Sequence, residues 1–169
     1  VRKINEIVIH CSATPEDRYF GSEDLAVMHA ARNIRNPGGY GYLVDNHGKR
    51  HKIRGWKKQG AHVYGHNTDT VGICYSGGIV SGGNPNKAAD AKDTRTNAQK
   101  VELVNLLVDL LRKIKKYQPI EHIIIKGHRD YSPDVNGDGI IDKWEYMKQC
   151  PCFDAAKEYE HILKQPALQ

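Results

Sequence analysis

Residues 4–10 read INEIVIH: polar and apolar side chains alternate in a β-rich composition, which predicts a strand that delivers His10 at its C-terminal end. Residues 122–126 (HIIIK) are short, β-branched and apolar, which predicts a central strand ending just ahead of His128. Residues 70–75 give a further apolar strand, and residues 40–44 and 50–54 a hairpin around the Asn46-His47-Gly48 turn. Helical signals are interspersed with these. Ser22 to Ile34 reads as a helix with Ser22 as N-cap, ended by Asn36-Pro37-Gly38-Gly39. Thr96-x-x-Gln99 is a capping box, and Val101, Val104, Val108 and Leu111 recur at helical spacing, with Leu103, Leu106, Leu107 and Leu110 widening the apolar face. Asp154 is the expected cap of a closing helix to Leu163, and the Gly, Asn and Asp-rich residues 76–94 are expected to be a mobile loop. The expected fold class is therefore α/β, one domain over residues 1–169 with a mixed central β-sheet flanked by helices.

At 169 residues the chain is long enough for one hydrophobic core. Cysteines 11, 74, 150 and 152 lack the density and spacing of a disulfide scaffold, so reduced thiols or metal ligation are expected. The net charge of +5 favours anionic partners, but Lys and Arg are scattered without an RNA motif or recognition helix, so no nucleic acid is expected. No apolar run is long enough to span a bilayer, so no membrane insertion is expected. The strand-like start leaves no room for a signal peptide, which predicts synthesis in the cytoplasm with an unknown export route, or a trimmed N-terminus.

Residues 127–153, GHRDYSPDVNGDGIIDKWEYMKQCPCF, nest two metal patterns. The inner one, Asp134-x-Asn136-x-Asp138-Gly139-x5-Glu145, fits the EF-hand calcium loop, with the Ile140 carbonyl and Asp142 filling the remaining slots. Pro133 rules out an entering helix, so a lone structural calcium loop at residues 134–145 is expected. The outer pattern sets His128 and Cys150 on either side of that loop, and with His10 they make a sufficient ligand set for a catalytic zinc.

The segments IVIHCSAT, GYGYLVDNHG, GAHVYGHNTDTVGI, GHRDYSP and KQCPCFD, in this order, resemble the type 2 N-acetylmuramoyl-L-alanine amidases, a family that includes small phage endolysins and the peptidoglycan-recognition proteins. The resemblance runs from His10 to about Asp154 and implies the amidase fold, with zinc held by His10, His128 and Cys150, the residue before Pro151. Cys152 is the competing thiol. The implied catalytic pair is Tyr40 and Lys148, with Tyr42 expected to share the strand face of Tyr40. His62 and Asn67 fall in a segment that faces substrate in the family, the alternatives being support of a ligand from behind or a turn. The implied activity is zinc-dependent hydrolysis of the amide between N-acetylmuramic acid and L-alanine, by a monomer whose partner is peptidoglycan or a muropeptide. The alternative is a non-catalytic muropeptide-binding module of the same fold. The calcium loop departs from the short connection of the small family members, and calcium is expected to carry Lys148 and Cys150 into place.

Overall fold

The computed structural model describes residues 1–165 and Leu168. Among the described residues seven strands are formed: β1 (Glu6–Cys11), β2 (Thr14–Pro15), β3 (Tyr42–Val44), β4 (Arg50–Lys52), β5 (Thr70–Tyr75), β6 (Gly78–Ile79) and β7 (Ile124–Gly127). Three α-helices accompany them: α1 (Ser22–Ala30), α2 (Asn97–Lys115) and α3 (Ala155–Tyr159). The main sheet runs β4-β3-β5-β1-β7, parallel throughout except for the β3–β4 hairpin, and β2 pairs with β6 in a separate parallel ribbon.

The two faces of the sheet follow from the period of two along its strands. Ile7, Ile9 and Cys11 of β1, with Val71, Ile73 and Tyr75 of β5, join the core cluster that contains the leucines of α2. Leu43 of β3 and Cys74 of β5 point the other way, into a cluster with Phe20 and Leu25 of α1. His10 pairs with Cys74 in the β1–β5 register and shares that second face. The helix α2 is secured at its start by the expected reciprocal cap, Gln99 N–H on Thr96 Oγ1 at 3.1 Å and Thr96 N–H on Gln99 Oε1 at 3.0 Å. Gln99 also donates from Nε2 to the Ser76 carbonyl at 2.8 Å, which anchors the helix to the end of β5.

Several expectations need correction. The strand carrying HIIIK lies at the sheet edge rather than its centre: β7 pairs only with β1, and Ile124 is 54% exposed. The buried stripe of α2 is Leu103, Leu106, Leu107, Leu110, Leu111 and Ile114, while Val101 faces solvent. Helix α1 begins at Ser22 with Gly21 as its cap, Asp24 accepting the Gly21 N–H at 2.8 Å, and it ends at Ala30. Asp154 caps α3 through the Lys157 N–H at 3.0 Å, but the α-helical part is short and gives way to a 3₁₀ turn over Ile162–Lys164. Residues 76–94 are pinned rather than free: β6 pairs with β2, Lys92 N–H donates to the Gly78 carbonyl at 2.9 Å, and Gly78 N–H donates to Thr94 Oγ1 at 2.7 Å. Tyr40 and Tyr42 do not share a face. The Gly41 carbonyl accepts from both Ile53 at 3.0 Å and Gly55 at 2.9 Å, and this local doubling breaks the alternation. Tyr40 therefore packs with the α1 cluster and Tyr42 with the α2 cluster.

Candidate active site

His10 lies at the end of β1, His128 is the first residue past β7, and Cys150 follows the long insertion. Their ligand atoms all lie within 4.8 Å of one another, the one such group of three or more His, Cys, Asp or Glu donors among the described residues. Backbone complementarity draws the last of these in. A Cβ at Gly127 would meet Pro151 Cδ at 2.6 Å, so only glycine lets the Cys150-Pro151 segment close against β7. Arg129 N–H then donates to the Cys150 carbonyl at 2.8 Å, and Cys11 N–H donates to Cys150 Sγ at 3.2 Å. Two imidazoles and a thiolate with this spacing suit zinc, the borderline-soft ion that takes N and S ligands and keeps one position open in catalytic sites.

The hydrogen bonds behind His10 assign its tautomer. Thr70 Oγ1 donates to the His66 carbonyl at 2.6 Å, so it accepts from His62 Nε2 at 3.1 Å. That leaves His62 Nδ1 as acceptor of the His10 Nε2 proton at 3.0 Å. His10 Nδ1, 3.8 Å from Cys150 Sγ, is then unprotonated and turned toward the site. A Cβ at Gly72 would sit 2.7 Å from the His62 ring, so the glycine in β5 makes the seat for this relay. Burial first, then the neighbouring His62, His128 and Lys148, holds His10 well below the usual histidine range. Burial followed by Lys148 lowers His128 to about 4. Both rings are thus neutral and able to offer a lone pair near pH 7.

His128 and Cys150 face a cleft of about 590 Å³, whose walls include Met28, His29, Arg32, Tyr40 and Lys148, and His10 lies beneath at 1% exposure. The Tyr40 ring packs 4.9 Å from that of His10 and 5.0 Å from that of His29. Burial keeps the Tyr40 phenol protonated, pushing it well above the usual tyrosine range. Lys148 is exposed at the junction of this cleft with a smaller pocket of about 180 Å³ bounded by Tyr64, His66, Tyr131 and Met147.

Residues 1–152 match the family model described as N-acetylmuramoyl-L-alanine amidase. The chain belongs to the N-acetylmuramoyl-L-alanine amidase family. It is 28% identical over 159 residues to an endolysin of Klebsiella phage KP32, covering 94% of this chain and 87% of that one. In fold it resembles bumblebee PGRP-SA, with a TM-score of 0.64 at 21% identity over 95% of this chain and 82% of that one. It also resembles the N-acetylmuramoyl-L-alanine amidase LysC from Clostridium intestinale, with a TM-score of 0.62 at 18% identity over 99% and 88%. Family membership supports peptidoglycan amidase activity.

The remaining site residues of this amidase-family chain divide by what their side chains touch. His62 supports His10 from behind while its ring edges the cleft. Asn67 Oδ1 accepts the His62 N–H at 2.8 Å and the Val63 N–H at 3.1 Å, the contacts of a turn. In the insertion, Asp134 accepts from Gly137 and Gly139 N–H, each at 2.7 Å, and Asp138 Oδ1 from Ile140 N–H at 2.8 Å. Asn136 Oδ1 accepts the Asp138 N–H at 3.1 Å. Glu145, 5% exposed, accepts from Val135 at 2.7 Å, Asn136 at 3.2 Å and Asp142 at 2.7 Å. Gly139 takes the sharp turn expected of it at φ 84°. The donor types suit calcium, but these carboxylates serve the loop's own backbone, and they do not gather into a group like that of His10, His128 and Cys150.

Two participants carried no sequence signal. His29, 3% exposed, accepts the Gly39 N–H on Nδ1 at 2.8 Å behind Tyr40. Thr70 reads only as the first residue of a strand, yet it sets the relay to His10.

Proposed function

We propose that this chain is a zinc-dependent hydrolase of the amide joining N-acetylmuramic acid to L-alanine in peptidoglycan. The observation that carries the reading is the convergence of His10, His128 and Cys150 at the floor of the cleft, with Tyr40 packed on His10 and Lys148 at the rim. When bound, zinc supplies Lewis acidity toward the scissile carbonyl and the attacking water. The protein's own groups supply the rest. Lys148 stabilises the negative charge that develops on the carbonyl oxygen. Tyr40, protonated in its buried setting, orients the water and relays a proton to the departing amine. The Thr70–His62–His10 relay holds the first ligand in one tautomer.

Calcium in the insertion belongs to the same proposal, supported by the donor pattern of residues 134–145, and it would steady the segment that leads to Lys148 and Cys150. That segment is otherwise tied by Met147 N–H on Ser132 Oγ at 3.0 Å. Titration of the metal-free protein with calcium, followed calorimetrically, tests this; no heat of binding would remove calcium from the reading.

The deciding experiment is mass analysis of purified peptidoglycan digested by the protein with and without chelator. Chelator-sensitive release of stem peptides beginning with L-alanine is expected. Intact peptidoglycan in the presence of zinc-loaded protein would establish a muropeptide-binding module instead.

A further inference from the structure

Two cysteines outside the ligand set lie against each other directly behind it. Cys11, the last residue of β1, turns to the α2 face of the sheet while its neighbour His10 turns to the cleft. Cys152, two residues past Cys150, packs against that same core. The sulfurs of Cys11 and Cys152 are 3.9 Å apart. Neither is loosely held. The Cys152 N–H closes a turn on the Gln149 carbonyl at 2.6 Å, and its backbone sits at φ 72°, a value that L residues seldom adopt. Its thiol donates to the Gly78 carbonyl at 3.4 Å. Cys11 is fixed by the β1–β5 ladder. Cys11 is 5% exposed, whereas Cys152 is only half-buried and borders the cleft, so a small oxidant reaches the pair from the Cys152 side.

We propose that Cys11 and Cys152 form an oxidisable pair whose disulfide staples the end of β1 to the segment that carries Cys150. In reaction with a low-molecular-weight disulfide, one protein S–S bond replaces two S–H bonds. The protein thiols lose two electrons and two protons, and the small disulfide is reduced to two thiols. The sulfurs must approach by roughly 2 Å to reach bonding distance. Cys150 contributes no sulfur to this bond and keeps its place beside His10, so the cross-link braces two ligand-bearing segments without consuming a ligand. An oxidising compartment outside the cytoplasm, where peptidoglycan lies, favours the bonded form.

The pair itself stands on thiol geometry alone, whereas the bracing rests on the zinc reading. The test treats the zinc-loaded protein with oxidised glutathione, alkylates it under denaturing conditions and maps tryptic peptides by mass. The expected product joins the peptide of Cys11 to that of residues 149–157, with fragmentation assigning the link to Cys152 and alkyl groups found on Cys150 and Cys74. The variant Cys152→Ser should yield no cross-link and an alkylated Cys11. Full alkylation of Cys11 and Cys152 in the treated wild type, or a link through Cys150, would overturn the pair. Zinc release to a chelator should be about 10-fold slower in the oxidised protein, the lower end of what partners behind a ligand contribute to metal affinity. Equal release rates in a protein carrying the mapped link would overturn the bracing.

Discussion

The floor of the cleft and the insertion above it both carry metal-ligand patterns, yet the chain builds them in opposite ways. The floor draws its donors from positions 10, 128 and 150, holds the two histidines at strand ends and the cysteine on a segment closed against β7, and brings them within 4.8 Å of one another. The insertion carries its donors within residues 134–145, leaves Asp138 in solvent and Asp134 half-buried, and turns their oxygens onto neighbouring N–H groups. A motif written in consecutive residues therefore specifies a turn before it specifies a site. Distant residues with no local motif make the tighter cluster, because the sheet fixes the histidines and close packing of Pro151 on Gly127 brings in the cysteine.

The largest expected difference between the two regions comes from Cys150→Ser, which removes a proposed zinc ligand: zinc binding and release of stem peptides should both be lost, with muropeptide binding retained. Cleavage at wild-type rate in this variant would sink the zinc reading. Removing the support behind His10 should do less. His62→Phe fills the seat over Gly72 but cannot accept the His10 proton, and zinc affinity should fall about 10- to 100-fold, measured by competition with a chromophoric chelator. In the insertion, Asp138→Ala with Glu145→Ala should abolish any calcium heat and leave the Val135, Asn136 and Asp142 N–H groups without their carboxylate. The cost is about 1–3 kcal/mol per group left unpaired in a buried setting, and less where water replaces the carboxylate. Activity in calcium-free buffer should fall less than for Cys150→Ser; an equal loss would make the insertion part of the catalytic floor.

The smallest effect is one of pH. Burial first, then Arg32 and Arg54, lowers His29 from 6.5 to about 4. Between those values the unfolded chain binds the proton that the folded chain refuses, so His29 favours folding above pH 6.5 and this contribution is lost as pH falls toward 4. The melting temperature of the metal-free protein should decline over that window. His29→Asn, which keeps an acceptor for the Gly39 N–H, should make the decline shallower; an unchanged slope would remove His29 from the account.

Much of this was legible in the sequence because period and caps are local signals. The β5 bounds, the Thr96–Gln99 box and the Asp154 cap are all found where the residues predict them. The misreadings share a physical cause. An apolar strand at an edge, covered by α3, looks like a central strand, so HIIIK could not reveal its rank in the sheet. The split of Tyr40 from Tyr42 depends on one carbonyl accepting two distant N–H groups. The GYGY segment suggested Tyr40, but His29 behind it and Thr70 behind His62 are contacts across the fold that no spacing encodes.

The position of β7 has a consequence for how the molecule comes apart. His10 stands on a strand paired on both sides, whereas His128 leaves a rim strand paired on one. Segments with few buried contacts and solvent-exposed backbone hydrogen bonds open at low free energy, and a rim strand has one ladder fewer to hold it. An ion shared between His10 and His128 would therefore act as a clasp that ties a rim strand to an interior one. Amide hydrogen exchange at Ile124 and Lys126, whose N–H groups face β1, would then slow on metal loading far more than exchange in β5, making the sheet margin a gauge of occupancy.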